Sequence, residues 1–260
     1  MLCDQLGNGN SDHLPDADPS FWTTQLFKDE LTALVDHLGI ARRSHVIGQS
    51  WGGMLAMEHA LDHPPGLLSV VAADRPADAD AFVRGAVALL DTLDPEVKAT
   101  ILRHEEAGTT DDLEYATAVQ EFHTRYVCRL DPWPDALVRS FDQMEADPTV
   151  YRDDERPERV HRYRAAVEWG IVDRLGEIDV PLLLVSGEFD EVRPDVVQVI
   201  DERAPNSQWS CSRAAARRRS SRRPTASSRR SRTSSSASGR PPRRRASRRT
   251  VAAGYVRPTW

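Results

Sequence analysis

The sequence lacks several features that would place it in a specialised class of protein. No apolar run approaches the roughly 18 residues that a membrane-spanning helix needs, and the N-terminus has neither the basic start nor the apolar stretch of a signal peptide. The three cysteines are odd in number and widely separated, which argues against a disulfide framework and a zinc site. We therefore expect a cytoplasmic protein that is not exported and needs no membrane, metal or cofactor.

Acidic residues are absent from the C-terminal part of the chain. Residues 210–260 hold 16 arginines and no Asp or Glu, so this segment carries +16 while residues 1–209 carry −22. The segment also lacks Leu, Ile, Met and Phe, so it cannot bury enough apolar area to offset its ordering entropy. The sequence predicts a disordered basic tail. An alternative is a nucleic-acid-binding arm, although aromatic residues for base stacking are absent before Tyr255.

Helix and strand patterns alternate through the first third of the chain. Apolar residues recur at helical spacing from Phe27 until Gly39, where a helix C-terminal residue is expected. A short apolar strand at 44–48, a helix after Ser50 and a buried strand at 67–73 follow. This order predicts an α/β fold with a mostly parallel sheet and crossover helices.

The middle of the chain carries helical patterns without strands. Helices are predicted at 82–93, 95–104, 113–126 and 134–144, and strand character returns at 180–187. Such a run of helices is typical of a cap inserted into a sheet domain. The sequence therefore predicts four parts, namely core at 1–75, helical cap at 76–170, core again at 171–209 and the Arg/Ser-rich tail at 210–260.

Residues 48–52, Gly-Gln-Ser-Trp-Gly, match the pattern G-x-S-x-G, which is the nucleophile elbow of serine hydrolases. The glycines are needed because the turn between strand and helix leaves no room for neighbouring Cβ atoms. The turn would expose the Ser50 hydroxyl above the sheet, where the backbone N–H of Trp51 can stabilise an oxyanion. The alternative interpretation is a Gly-rich turn that merely contains a serine.

Asp190 follows the predicted strand at 182–185, at the position where this kind of fold places the acid that orients a catalytic histidine. The order of Ser50 and Asp190 along the chain agrees with that assignment. An aspartate after a strand is also common in solvated turns and at helix N-termini. Position alone leaves both interpretations open.

Five segments of the sequence together resemble the proline iminopeptidase family of α/β-hydrolases. The resemblance spans most of residues 3–209 and is interrupted once. The matching segments are Asp4-Gln-Leu-Gly-Asn-Gly-Asn-Ser-Asp12, Gly48-Gln-Ser-Trp-Gly-Gly-Met-Leu-Ala56, His104-Glu-Glu-Ala-Gly-Thr-Thr110, Val127-Cys-Arg-Leu-Asp-Pro-Trp133 and Gly187-Glu-Phe-Asp-Glu191.

The resemblance implies a serine aminopeptidase that releases an N-terminal residue, often proline, from short peptides through an acyl-enzyme. Related members of the family act on amino-acid amides. Carried over by position, Ser50 is the nucleophile, Asp190 is the acid of the triad, and Glu191 receives the free amine of the substrate. The alternative for Glu191 is an ordinary exposed acid.

A Ser-His-Asp site also needs a base, and in this chain order the histidine should follow the acid. No histidine follows Asp190, and each one that precedes it is expected on a helix surface or in a loop. We therefore expect little or no turnover, and a hydrolase-derived protein without catalysis is a further alternative. The eight histidines are His13, His37, His45, His59, His63, His104, His123 and His161.

Two further departures from the family pattern concern missing segments. The chain begins inside the pattern, without the family's His-Gly-Gly-Pro motif, and residues 152–166 stand where the family has Asn-Gly-Pro-x-Glu-Phe. We expect a truncated N-terminus and hypothesise that 152–166 and the tail after 209 are translated out of frame. Read one base out of phase, codons for residues 153–160 are compatible with Thr-Met-Asn-Gly-Pro-Ser-Glu-Phe. The DNA sequence of the coding region tests this hypothesis.

Overall fold

The structure, a computed structural model, describes residues 1–150 and 169–212. The segment 152–166 and most of the predicted tail therefore lie outside the described residues. The described helices are α1 (Thr24–His37), α2 (Trp51–Leu61), α3 (Ala79–Leu90), α4 (Pro95–Ala107), α5 (Leu113–Tyr126), α6 (Asp135–Ala146) and α7 (Pro194–Arg203). The described strands are β1 (Ser44–Gln49), β2 (Leu67–Ala73), β3 (Leu182–Gly187) and β4 (Ser207–Ser212).

The four strands form one parallel sheet in the order β1-β2-β3-β4. In the register of the sheet, Gln49 lies beside Ala73 and Ala73 lies beside Val185. The carboxyl ends of β1, β2 and β3 therefore meet at one edge, which is where ligands bind in open α/β sheets. The predicted α/β class with a parallel sheet is confirmed.

A single apolar cluster joins the sheet to the helices that cover it. It includes Phe27 and Leu31 from α1, Leu55 from α2 and Ile200 from α7, all at most 4% exposed. Burial of this apolar area is the main favourable contribution to folding. The helix predicted before Gly39 ends at His37 with Leu38 as its C-cap, and Gly39 follows it with a φ of +65°, a left-handed conformation that glycine adopts readily.

The helices α3 to α6 lie between β2 and β3 in the chain. Leu90, Ile101, Tyr115 and Phe122 belong to a second apolar cluster, which is separate from the cluster against the sheet. The predicted helix at 113–126 has the bounds that the sequence indicates, and the other three begin or end within three residues of their predicted bounds. The division into core, cap and tail stays a prediction.

The sequence did not predict β4, and it placed the start of the disordered tail too early. Residues 210–212, assigned to the tail, pair with β3 in parallel register as part of β4. The prediction failed because it relied on apolar content, whereas an edge strand needs only the backbone hydrogen bonds that its neighbour offers. Within residues 1–150 and 169–212, no helix is long and apolar enough to cross a membrane.

Candidate active site

Ser50 occupies the sharp bend between β1 and α2. Its backbone has φ 52° and ψ −120°, a conformation that residues other than glycine rarely adopt. The Ser50 N–H donates to the carbonyl oxygen of Ala73 at 2.9 Å, and the Ser50 carbonyl oxygen accepts the N–H of Gly53 at 2.9 Å. These two bonds fix the bend to β2 on one side and start α2 on the other, as a nucleophile elbow requires.

Gly48 makes this bend sterically possible. A Cβ atom built on Gly48 would lie 1.9 Å from the carbonyl oxygen of Gly52 and 2.0 Å from its carbonyl carbon. Both atoms belong to the backbone of α2, so neither could rotate away. A Cβ on Gly53 would lie 3.3 Å from the Gly48 oxygen. Gly48 and Gly53 thus allow β1 and the first turn of α2 to approach each other.

Trp51 is the first residue of α2, and its backbone N–H is one of those that a helix leaves without an intrahelical acceptor. Its indole Nε1 donates to the Gln5 side-chain oxygen at 3.1 Å, and its ring meets Phe27 edge to face at a centroid distance of 5.6 Å. The side chain is therefore anchored in the core. The N–H beside Ser50 lies where the partial positive charge of the helix can stabilise an anion.

Asp190 lies in the loop between β3 and α7, called here the acid loop (residues 188–193). One carboxylate oxygen accepts the backbone N–H of Val192 at 2.8 Å. Burial, and then the charge of Asp74, raise the pKa of Asp190 to about 8. Asp190 does not cap α7, because that helix begins at Pro194 after Arg193. The helix-cap alternative is therefore wrong. The turn alternative stays open, because the half-buried Asp190 accepts the N–H two residues on, as in an Asx-turn.

Glu191 is buried, with 5% of its surface exposed, so the alternative of an ordinary exposed acid is wrong. Its oxygen Oε2 is buried without a hydrogen-bond partner among the described residues. Burial raises the pKa of Glu191 well above its ordinary value, and the charges of Asp190 and Asp74 add to this. The side chain therefore provides an acceptor for a cationic or N–H group that enters the site.

Asp74 is a site residue that the sequence interpretation missed. It directly follows β2, has a φ of +50°, and donates its N–H to the Val185 oxygen at 2.8 Å. Its carboxylate is hydrogen-bonded to the side chains of Gln49 and Asp190 and to the backbone of Gly187. A signal was present in the sequence, because residues that follow neighbouring parallel strands share one edge of the sheet.

Ser50 and Asp190 lie at the same edge of the sheet, two strands apart. Neighbouring strands are about 4.8 Å apart, so β1 and β3 are separated by roughly 10 Å. Gln49, which precedes Ser50, is bonded to Asp74, and Asp74 is bonded to Asp190. The structure therefore brings the predicted nucleophile and acid to one edge, with Asp74 as the link between them.

None of the described histidines is hydrogen-bonded to Ser50 in residues 1–150 and 169–212. The expectation that the histidines lie on helix surfaces or in loops is wrong for His59, His104 and His123, which are each at most 7% exposed. His59 faces the core because it lies on the buried side of α2, and burial lowers its pKa. His161 lies outside the described residues.

A cavity of about 510 Å³ opens beside Asp190 where the acid loop meets α3 and α5. Two contacts hold the loop there. The Glu191 N–H donates to the backbone carbonyl oxygen of Tyr126 at 3.2 Å, and the Arg129 guanidinium lies 4.1 Å from the ring centre of Phe189. The cavity walls do not include Ser50. They are formed by Leu89, Tyr126, Glu188, Phe189, Asp190, Arg193, Pro194, Asp195 and Gln198.

Among the described residues, three side chains of types that bind metals lie together, with one possible ligand atom from each within 4.8 Å of the others. They are His104, Asp112 and Glu114. Each already has a protein partner. Glu114 forms an ion pair with Arg103 at 2.8 Å, Asp112 accepts the Glu114 N–H at the start of α5, and His104 bonds to Thr109. This group is explained as the network that joins α4 to α5.

The fold and the elbow agree with a comparison of the chain against known families. Residues 1–211 match the family described as the alpha/beta hydrolase fold. The chain therefore belongs to the α/β-hydrolase family, whose members share a parallel sheet that carries a serine at the turn after one strand.

Within that family, the relatives specify the type. A proline iminopeptidase of Lactobacillus crispatus is 30% identical over 80% of this chain and 70% of its own length. A proline iminopeptidase from Mycobacterium smegmatis, known from its crystal structure, is 41% identical in sequence. The two structures match with a TM-score of 0.72 over 79% of this chain and 68% of that chain. The crystal structure of VinJ is 40% identical with a TM-score of 0.76, over 80% and 70%. The resemblance to proline-iminopeptidase-type hydrolytic enzymes is confirmed.

Proposed function

We propose that this chain is a serine hydrolase of the aminopeptidase type, which releases an N-terminal residue, preferably proline, from short peptides through an acyl-enzyme. The observation that carries the proposal is the backbone of Ser50, which is held at φ 52° between β1 and α2 beside the N-terminus of the helix. Strained conformations of this kind cluster at functional sites. The proline iminopeptidase relatives support a peptide substrate.

In the proposed mechanism, the Ser50 hydroxyl attacks the carbonyl carbon of the N-terminal residue and its proton passes through water to the peptide nitrogen. The C–N bond then breaks, which leaves an ester on Ser50 and releases the rest of the peptide as an amine. The Trp51 backbone N–H stabilises the oxyanion that forms on the way. Water then hydrolyses the ester and restores Ser50. Asp190 is the acid that would orient a base between the two strand ends.

Glu191 is proposed to bind the free α-amine of the substrate. Its buried oxygen without a partner supports this role, because an incoming ammonium would supply the missing donor and offset the buried charge. The sequence contains no histidine after Asp190, so we expect slow turnover.

The test is hydrolysis of a prolyl reporter amide by the protein and by a Ser50→Ala variant. We expect slow hydrolysis by the protein and none above background by Ser50→Ala, whereas Ser20→Ala, which changes an exposed serine, retains the rate. Equal rates for the protein and Ser50→Ala would remove Ser50 as the nucleophile. If neither exceeds background, the chain is a hydrolase-like protein without catalysis.

The amine-binding role has its own test. The protein should prefer the prolyl reporter over its N-acetylated form, and Glu191→Gln should reduce that preference about tenfold, which corresponds to about 1.4 kcal/mol. Asp195→Asn changes an exposed carboxylate in the first turn of α7, just after the acid loop, and is the control that should leave the preference intact. An unchanged preference in Glu191→Gln would assign the amine site elsewhere. A prolinamide substrate would show whether amino-acid amides are also accepted.

Two predictions from the sequence accompany this proposal. A cytoplasmic location fits the free thiols of Cys3, Cys128 and Cys211. Nucleic-acid binding by the arginine-rich tail stays a separate prediction, since residues 213–260 lie outside the described residues. A DNA retardation assay across salt concentrations tests it, because phosphate contacts weaken steeply as salt rises.

A further inference from the structure

The N-terminal loop (residues 4–12) contacts the start of α2 through Gln5, a polar residue that is only 4% exposed. The Gln5 side-chain oxygen accepts the indole N–H of Trp51 at 3.1 Å, and the two residues lie 46 positions apart in the sequence. An apolar side chain could fill the same place without giving up hydrogen bonds to water. The buried amide beside the nucleophile elbow therefore points to a role for its bond to Trp51.

Hydrogen bonds inside the N-terminal loop fix the place of Gln5. The Asn8 N–H donates to the Gln5 carbonyl oxygen at 2.9 Å, and the Gly7 N–H donates to the Asp12 carbonyl oxygen at 2.8 Å. Gly7 has a φ of +77°, a left-handed conformation that glycine adopts without steric strain. The loop thus holds Gln5 on a defined backbone.

A second set of contacts joins the N-terminal loop to the rest of the protein. The Leu6 N–H donates to the Oε1 atom of Glu30, which lies on α1, at 2.9 Å. A Cβ atom on Gly7 would lie 2.5 Å from the Val150 side chain and 2.9 Å from the Trp22 ring, so the loop backbone packs directly on both. These contacts hold the loop independently of its bond to the elbow.

The first turn of α2 has few side chains that could hold it in place. Gly52 and Gly53 have none, and the Ser50 side chain forms no capping hydrogen bond. Glycine also weakens a helix because its backbone has more freedom to lose. Trp51 and Met54 therefore carry the side chains of this turn, and Trp51 is the one next to the nucleophile.

We propose that Gln5 is a positioning residue for the oxyanion site. By holding the Trp51 indole, it fixes the start of α2 and with it the direction of the Trp51 backbone N–H. The edge-to-face contact with Phe27 limits where the ring lies, and the directional hydrogen bond to Gln5 also fixes its rotation. A donor that stabilises a developing anion has to be oriented before the reaction begins. The inference rests on the proposed function, because that function makes this N–H the oxyanion donor.

The first experiment measures the order parameter of the Trp51 backbone N–H by NMR, in the full chain labelled with ¹⁵N-tryptophan. Gln5→Met keeps a side chain of similar length and loses the acceptor, whereas Gln5→Glu keeps an acceptor. We expect the order parameter to fall from about 0.85, typical of rigid backbone, towards about 0.6 in Gln5→Met and to stay high in Gln5→Glu. Asn10→Ala removes an exposed side chain of the same loop and should leave the value unchanged.

Trp51→Phe identifies the Trp51 signal, which it removes, and it breaks the same bond from the donor side. If Gln5→Met does not fold, the N–H of residue 51 in Trp51→Phe, labelled with ¹⁵N-phenylalanine, should show the same fall in order. An order parameter that stays near 0.85 without the bond would overturn the proposal. Gln5 would then only satisfy the buried indole. This measurement needs neither a ligand nor turnover.

The second experiment measures the equilibrium binding of proline boronic acid, which mimics the oxyanion. The Ser50 oxygen bonds to boron, the hydroxyl proton passes to solvent, and the boron becomes tetrahedral and negatively charged. Gln5→Met should weaken this binding about tenfold, because the N–H beside the anion is misplaced. Binding of prolinol, which has the amine but neither boron nor a carbonyl group, should not change.

Equal losses for the two ligands in Gln5→Met would overturn the proposal, since they would indicate a general distortion of the site. So would a tenfold loss that Gln5→Met also causes in the Trp51→Phe background, because Gln5 is proposed to act only through the indole. If the unmodified protein binds the boronic acid no better than Ser50→Ala, the proposed function fails. The order parameter then still decides whether Gln5 fixes the Trp51 N–H.

Discussion

The two halves of the site, the nucleophile elbow at Ser50 and the acid loop around Asp190, are built on different physical principles. The constraint at the elbow is steric: glycines leave room for the close approach of β1 and α2, and α2 begins directly after the strained residue Ser50. The constraint at the acid loop is electrostatic, because the carboxyl groups of Asp74, Asp190 and Glu191 are close together and the pKa of each is raised. At the elbow, the described residues form the whole turn. At the acid loop, the raised pKa values mean that the carboxyl groups keep protons and so carry less negative charge.

This contrast predicts that the elbow fails when volume is added and that the acid loop improves when charge is removed. The largest effect is expected for Gly48→Ala. The added Cβ would lie 1.9 Å from the Gly52 oxygen, so β1 and α2 would have to separate. We expect the free energy of unfolding in urea to fall by about 3 kcal/mol or more.

Gly176→Ala is the matched control for that substitution. A Cβ on Gly176 meets no heavy atom within 4 Å, and its backbone has an ordinary φ. Its effect on the free energy of unfolding should stay within about 0.5 kcal/mol. Equal effects of the two substitutions would show that the close approach at Gly48 does not limit stability.

The elbow was predictable from sequence because its cause is local. The pattern from Gly48 to Gly52 dictates a turn that only small residues permit, and the flanking apolar segments indicate the strand and the helix. The acid loop was predictable in position but not in charge. Asp190 and Glu191 follow a recognisable strand, yet the loop that carries them is bonded to the end of α5, and Asp74 meets Asp190 only because β2 lies beside β3. Such contacts arise from tertiary packing, which no local pattern encodes.

The strand β4 shows a related limit. Its side chains are mostly polar and exposed, so periodicity could not reveal it, and the neighbouring β3 decides its conformation. Apolar patterns predicted β2 and α5 with the bounds found in the structure, because burial of those side chains determines their conformation. The sequence therefore predicts helices and strands with an apolar face of their own better than it predicts strands that form only by hydrogen bonding to a neighbouring strand.

The second prediction concerns Glu191→Gln, which removes the buried carboxylate from the acid loop. The folded-state pKa of Glu191 is raised above its unfolded value, so the folded protein binds this proton more tightly. Its contribution to stability is therefore lost as pH rises above the ordinary pKa of about 4.3. We expect Glu191→Gln to stabilise the protein by about 1–3 kcal/mol at pH 8 and to have little effect near pH 4.

Urea unfolding of both proteins at several pH values measures this difference. The gap between Glu191→Gln and the unmodified protein should widen with rising pH, and the midpoint of that rise lies above the ordinary pKa of glutamate. If the gap were independent of pH, the gain would come from packing and not from charge. A destabilised variant at pH 8 would show that the carboxylate has a cationic partner in solution.

The smallest effect is expected for Asp195→Asn, which also removes one negative charge close to the acid loop. Asp195 is exposed and its carboxylate pairs with Arg193 at 2.9 and 3.1 Å, in a setting where water screens the charge. Exposed pairs of this kind contribute about 0.2–1 kcal/mol, so the loss should be small, and it should show no rise between pH 6 and pH 8. Glu191→Gln and Asp195→Asn change the net charge equally. If their effects on the free energy of unfolding differ in sign and pH dependence, the destabilising effect of Glu191 at high pH comes from its burial. Equal effects would attribute it to net charge.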